Sequence, residues 1–331
     1  MQKVKWGVLS TAKIGVKQVI PAMQQCEYAE VTGIASRNKI DADSVAQEFD
    51  IKSYEGYDAI LSDPEIDAIY IPLPNHMHVE WIHKCIDAGK HVLCEKPLAL
   101  NSDDILPIQE KAKNKGLKVC EAYMVKVHPQ WLKVKEMIAA GDIGKLKTIN
   151  GFFSYYNNDP KNIRNVKEYG GGALWDIGCY PVTQSRFVFG EEPAFVSAVA
   201  DIDPNFKTDR LLSGLLSFPS GTATFTASTQ LVPYQRMQFY GTKKMIELLI
   251  PFNAPIDTPC QIVLHHGDKF EKENKVIEIP VCNQYTLQGD AMSKAILNDG
   301  IVPVQLEDTY KNTRVIEALF ESAFNQKIVK I

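Results

Sequence analysis

The chain has 331 residues, more than one ordinary core accommodates, so two domains are expected. With 45% hydrophobic and 23% charged residues, a net charge of −4 and no basic run, it reads as a globular protein for which nucleic acid is not an expected partner. No apolar run approaches the ~20 residues that cross a bilayer, and only Met1, Gln2 and Lys3 precede the first strand-like run, so neither a membrane span nor a secretory leader is expected.

Residues 4 to 122 alternate strand and helix signals. Val4–Leu9 reads as a strand and Lys13–Gln24 as a helix. Val31–Ala35 is a second strand, followed by a helix around Asp41–Glu48. Ala68–Ile71 is a third strand, and a helix over His76–Ala88 ends at Gly89. His91–Cys94 is the next strand. Asn101 or Ser102 caps a helix that runs to Lys115 and stops at Gly116, and Lys118–Ala122 is one more strand. Strands separated by helices indicate βαβ units around a doubly wound parallel sheet, a nucleotide-binding domain over 1–123.

From residue 124 to 331 the pattern changes. A helix fits Gln130–Ala140, a strand Leu146–Tyr156 and a long helix Ala173–Phe189, closed by Gly190. Strand-like runs then follow without helices between them: Phe195–Val199, Leu211–Ser217, Thr222–Ser228, Gln235–Tyr240, Met245–Ile250 and Ile262–His265. Such succession implies a mostly antiparallel sheet, which the long helix is expected to cover on one face. Helices over Thr286–Leu297 and Leu306–Asn325 finish the chain. The seven cysteines (26, 85, 94, 120, 179, 260 and 282) are scattered and odd in number, with no Cys-x-x-Cys pair, so they read as reduced, buried thiols of a cytoplasmic protein.

Four stretches carry chemistry. Gly7 to Gly15 forms a strand-to-helix turn in which Ser10 and Ala12 stand where a dinucleotide fingerprint has glycines. Both are small, so backbone approach to a pyrophosphate stays open, and the Ser10 or Thr11 hydroxyl could bond phosphate; an ordinary turn fits this stretch equally well. The second strand ends in Ser36-Arg37, where an NAD site places an acid; a hydroxyl and a guanidinium suit a 2′-phosphate. The third runs into Pro72-Leu73-Pro74-Asn75-His76-Met77-His78. Its two histidines lie two apart and share no helix face, which argues against a metal pair. The fourth strand ends in Glu95-Lys96-Pro97. Proline keeps Lys96 extended, with its ammonium beyond the strand end, although a surface ion pair is the plain alternative. In the second half, Gly170-Gly171-Gly172 permits a tight turn into a helix on which Asp176 and Tyr180 share one face, an acid and a phenol that could serve proton transfer; on these residues alone a helix with its acid in the first turn and its tyrosine in the core is the better fit.

These segments occur together and in order: Trp6 to Gly15, Ala35-Ser36-Arg37, Ile71 to His78, Cys94-Glu95-Lys96-Pro97-Leu98 and Gly170 to Tyr180. The set resembles the Gfo/Idh/MocA oxidoreductases over nearly the whole chain. It is most similar to the branch of dihydrodiol dehydrogenases, NADP-linked xylose dehydrogenases and glucose–fructose oxidoreductase. The resemblance implies an N-terminal Rossmann domain, a C-terminal α/β domain with an open, largely antiparallel sheet, and an active site in the cleft between them. It implies NADP(H) held by Ser10, Thr11, Ala12, Ile14, Ser36, Arg37, Pro72, Leu73, Asn75, His78, Glu95 and Lys96, with NAD(H) as the lesser alternative. Lys96, Tyr180 and Asp176 are implied as catalytic, and Tyr156, Arg164, Asp176 and Tyr180 as facing a carbohydrate, cyclic polyol or diol. No metal is implied, and pairing through the open sheet makes a homodimer the expected state. Lys126 stands where many relatives have arginine, so a substrate contact there does not carry over. Two other readings stay open: a ligand-sensing regulator of the same fold, and a glycoside-cleaving enzyme that uses nicotinamide as a transient hydride store.

Overall fold

The computed structural model describes residues 2–267 and 274–331. They form two compact units. The first is the chain up to Val127 together with Asn283–Tyr310; the second is His128–Cys282 with Lys311–Ile331.

In the first unit, strands β1 (Val4–Leu9), β2 (Ala29–Ser36), β3 (Lys52–Glu55), β4 (Ala68–Ile71), β5 (His91–Glu95) and β6 (Val119–Ala122) form one parallel sheet in the order β3-β2-β1-β4-β5-β6. The connecting helices are α1 (Ile20–Met23), α2 (Lys39–Phe49), α3 (Tyr57–Leu61), α4 (His78–Asp87) and α5 (Ile105–Asn114). Every residue of β4 and the centre of β5 is buried, as expected of strands covered on both faces. The strand order reverses between β1 and β4, and ligands of open α/β sheets bind outside the carboxyl ends at such a point. Strand β3 and helix α3 were not expected. Only Tyr54 of the four β3 residues is buried, and α3 has five residues, so neither produces a readable period.

The second unit contains α6 (Pro129–Ala139), β7 (Leu146–Tyr156), α7 (Cys179–Phe189) and the strands β8 (Phe195–Ile202), β9 (Asp209–Ser217), β10 (Thr222–Ser228), β11 (Gln230–Gly241), β12 (Met245–Leu248), β13 (Cys260–His265) and β14 (Lys275–Ile279). The chain closes with α8 (Gln284–Leu297), α9 (Leu306–Asn325) and the short β15 (Val329–Lys330). The nine-stranded sheet runs β14-β13-β12-β11-β7-β10-β9-β8-β15 and is antiparallel except for the β7/β10 pair. Helix α7 lies on β7 and β10.

Helix α8, expected in the second domain, packs in the first unit. Its Thr286 hydroxyl donates to Ala22 O at 2.9 Å, its Asp290 accepts from Tyr28 N at 2.8 Å, and its Ser293 accepts from the Trp6 indole at 3.0 Å. The chain thus returns to its first unit, which a division at 123/124 does not anticipate.

Two helices expected to be regular open with π turns, at Gly15–Val19 ahead of α1 and at Leu174–Gly178 ahead of α7. Each precedes a proline, Pro21 or Pro181. A proline cannot donate to the carbonyl four residues earlier, and the backbone widens there instead of closing that bond. None of the seven cysteines is in a disulfide, and six are buried. No helix among the described residues is long and apolar enough to cross a membrane.

Candidate active site

In the first unit, four loops leave the carboxyl edge of the parallel sheet side by side. After β1, Ser10 adopts φ +94, a region that favours glycine, at the position where a glycine was looked for. Its hydroxyl accepts from Ala12 N at 3.2 Å and donates to Pro72 O at 3.4 Å, tying this loop to the one after β4. The Ser10 hydroxyl is therefore engaged within the protein. Thr11, Ala12 and Ile14 are half-buried on the way into the π turn.

After β2, Ser36 is buried and accepts from Asn38 N at 3.2 Å, while Arg37 is exposed. Burial pushes the Tyr57 phenol up, and the nearby Arg37 guanidinium pulls it back. After β4, Pro72 and Leu73 are buried and Asn75 is half-buried. His78 corrects an expectation. It is fully buried, and its Nδ1 and Nε2 lie 2.8 Å from Pro97 O and 2.7 Å from Leu73 O. It joins two loops of the edge from within and does not present a face to a cofactor.

After β5, Glu95 accepts from the Tyr70 hydroxyl at 2.6 Å, and burial together with this carboxylate drives the Tyr70 phenol well up. Lys96 is half-buried, and the Lys96–Pro97 bond is cis. Beneath this loop lies Glu121 of β6, 2% exposed, whose carboxyl accepts from Leu98 N at 2.9 Å and is pushed up to about 7 by burial. Lys126 is committed to an ion pair with Asp308, with its own side chain 8% exposed, so the lysine is buried structure.

In the second unit the three glycines wrap the turn that carries Arg164. Gly171 N donates to Val166 O at 3.0 Å and Gly172 N to Arg164 O at 2.9 Å. A Cβ on Gly172, at φ +115, would lie 1.9 Å from Asp209 Oδ1. Asp209 is buried and accepts from Leu174 N at 2.7 Å, which anchors the start of the helix bearing Asp176 and Tyr180. Asp176 Oδ2 receives the Tyr155 hydroxyl at 2.5 Å and Arg164 Nε at 3.0 Å. Burial, then this carboxylate, pushes the Tyr155 phenol far up; the same carboxylate raises Arg164, with burial opposing. Tyr180, 6% exposed, packs its ring against Phe153 and Phe252.

The strand carrying these tyrosines spans Leu146–Tyr156 as expected, and Tyr156 was the one named as facing substrate. Successive side chains of a strand alternate faces. Phe153 and Tyr155 face α7, and Tyr156, 62% exposed, lies on the opposite face. Tyr155 is thus the tyrosine that meets Asp176. The period of β7 carries that signal; Asp209 and Glu121 have none in sequence. Among the described residues, no cluster of three or more His, Cys, Asp or Glu side chains could hold a metal.

Asp209 yields a pH prediction. Burial pushes it from its ordinary 3.8 up to about 7. An acid raised on folding contributes stability that is complete below its unfolded value and is lost as pH rises through its folded value. Asp209→Asn keeps an oxygen for Leu174 N but cannot ionise. The Tm of this variant relative to the wild type should rise as pH goes from about 4 to about 7 and level off above. A Tm difference that is constant over this range contradicts the assignment.

Two family models match this chain. One, described as "Oxidoreductase family, NAD-binding Rossmann fold", covers residues 4–123; the other, "GFO/IDH/MocA C-terminal domain", covers residues 131–247. An uncharacterized oxidoreductase of Rhizobium meliloti is 43% identical over 98% of both chains. The D-xylose 1-dehydrogenase (NADP(+)) 2 of Haloferax volcanii is 32% identical over 96% of this chain and 97% of its own. The crystal structure of a 3-ketoreductase from Actinomadura kijaniata in complex with NADP and TDP-benzene superposes with a TM-score of 0.91 at 28% identity, over 97% of this chain and 98% of that one. That reductase has also been crystallised with one lysine replaced by alanine or glutamate, and with one tyrosine replaced by phenylalanine.

Proposed function

The chain belongs to the Gfo/Idh/MocA oxidoreductase family, and on that premise we propose that it is an NADP(H)-dependent oxidoreductase acting on a carbohydrate, cyclic polyol or diol. The observation that carries the reading is the carboxyl edge of the parallel sheet. There Ser10 to Ile14, Ser36-Arg37, Pro72 to Asn75 and Glu95-Lys96 follow neighbouring strands around the β1/β4 reversal.

The residues fit this cofactor. The turn after β1 takes its positive φ without glycine, and Ala12 leaves room for close backbone approach. The end of β2 offers a hydroxyl and an exposed guanidinium, and no carboxylate, to a 2′-phosphate. NADP(H), when bound, supplies or accepts the hydride. Tyr180 exchanges the proton with the substrate oxygen, accepting it when an alcohol is oxidised and returning it when a carbonyl is reduced. Lys96 assists the proton transfer through its positive charge. Asp176, fixed by Tyr155 and Arg164, orients the substrate hydroxyls, and Arg164 lies beside it as a further donor.

The cofactor assignment has a direct test. Arg37→Asp should lower NADP+ affinity by about tenfold or more while changing NAD+ affinity far less, because the lost partner is specific to the 2′-phosphate. Equal losses for both cofactors would contradict it.

Two copies pair, on this reading, through the sheet face opposite α7. Its polar groups satisfy one another across strands, with Asn150 donating to Thr224 at 2.9 Å and Ser213 bonded to Thr226 at 2.8 Å. Val199 and Leu215 stand exposed among them. Sedimentation should give a dimer mass; a monomer mass removes this part of the account.

A further inference from the structure

One peptide unit in the first unit is held at both ends by buried titratable side chains. The carbonyl of Pro97 lies 2.8 Å from Nδ1 of His78, and the N–H of Leu98 donates to Oε1 of Glu121 at 2.9 Å. Both groups belong to the single Pro97–Leu98 peptide, the second after Lys96 and separated from it by the Lys96–Pro97 bond. His78 is 0% exposed and Glu121 is 2% exposed, and neither contributes to the chemistry described above. They approach from different elements, His78 from the start of α4 and Glu121 from β6.

We infer that His78 and Glu121 form a buried clamp on the Pro97–Leu98 peptide and that this clamp is what positions Lys96. His78 and Glu121 are positioning residues, and the inference rests on the reading of Lys96 as a catalytic group. The argument is mechanical and electrostatic. A lysine on a four-carbon stem is placed by its backbone, and a peptide without partners on a loop would rotate. Here an imidazole and a carboxyl fix the orientation of the Pro97–Leu98 plane, to which Lys96 is joined through the ring-locked Pro97, and their bonds polarise it in the same sense. Buried polar groups left without their partner carry a large penalty, so the arrangement favours a single conformation. The Nε2 of His78 lies 2.7 Å from Leu73 O on the loop after β4; a neutral imidazole donates through one nitrogen, and the clamp is the tautomer whose Nδ1–H donates to Pro97 O. The charged and titratable groups around the clamp are Lys96 and His76 near His78, and Lys126, Asp308, Cys94 and Cys120 near Glu121. Burial pulls the His78 imidazole down while its two carbonyl partners hold it up.

The test observes Lys96 itself and requires no substrate. The lysines of the full chain are dimethylated with isotope-labelled formaldehyde, and the Lys96 signal is assigned by its loss in Lys96→Arg. In the wild type, the Lys96 resonance should stand apart from those of the exposed lysines and should shift on addition of NADP+. In Glu121→Ala and His78→Asn, each shown to be folded by circular dichroism, it should collapse towards the exposed-lysine position and lose its NADP+ response. Glu121→Gln, which keeps an oxygen for Leu98 N, should restore both. An unchanged Lys96 signal in the folded Ala and Asn variants overturns the inference. So does unfolding of both variants, which would make the clamp part of the fold alone. A wild-type Lys96 signal that ignores NADP+ counts against the functional reading instead, and the displacement in the variants still decides the clamp.

Discussion

Tyr180→Phe should lower kcat by roughly a hundred- to ten-thousand-fold, the range over which a positioned acid or base contributes. Lys96→Met should cost about a hundred- to a thousandfold, as expected when one charge-stabilising donor is lost from a transition state. On the proposed function both groups serve the same proton-transfer step, so the combination should cost less than the product of the single losses. Tyr180 is buried among Phe153 and Phe252, and removing its hydroxyl leaves that aromatic packing in place. NADP(H) affinity, measured in parallel, should therefore change little in Tyr180→Phe. Turnover that survives both substitutions would remove Lys96 and Tyr180 from the mechanism.

The second large effect is on stability. Gly172→Ala should destabilise the protein by about 3 kcal/mol or more, or prevent folding. Two causes act together. The backbone sits at φ +115, where L side chains are strained, and the new Cβ would lie 1.9 Å from Asp209 Oδ1. Asp209 cannot move aside without releasing Leu174 N at the start of the helix that carries Asp176 and Tyr180. Turnover of the remaining folded fraction should fall as well. Gly190→Ala is the control. It has a positive φ of +67 but nothing within 4 Å of the added Cβ, so it should cost only about 1 kcal/mol. Equal effects of the two substitutions in denaturant unfolding would show that the Asp209 contact carries no weight.

The parallel sheet was legible because doubly covered strands read as continuous apolar runs, as in Ala68–Ile71 and the centre of His91–Glu95. The edge that gathers Ser36, Arg37, Asn75 and Lys96 follows from that alternation and the chain order alone. Other features were not legible, for identifiable reasons. Strand β3 buries a single tyrosine and presents no period. The return of α8 to the first unit depends on bonds between residues more than 260 positions apart, such as Tyr28 to Asp290. Tyr155 and Tyr156 are chemically identical neighbours, and only the phase of β7 separates the one that meets Asp176 from the one that faces away. His78 was read as cofactor lining because burial is not visible in a polar motif; the carbonyls that enclose it come from two separate loops. Glu121 and Asp209 are lone acids in sequence, and tertiary burial alone gives them their roles. The π turns have a sequence cue after all, a proline early in an expected helix.

The measurement that bears most directly on the account is cofactor reduction by the purified protein, with NADP+ and NAD+ each offered a panel of aldoses, inositols and cyclic diols. The account predicts reduced cofactor from NADP+, in preference to NAD+, with at least one member of the panel. Tight NADP+ binding with no hydride transfer to or from any of them would contradict it and favour a sensing role for the same fold.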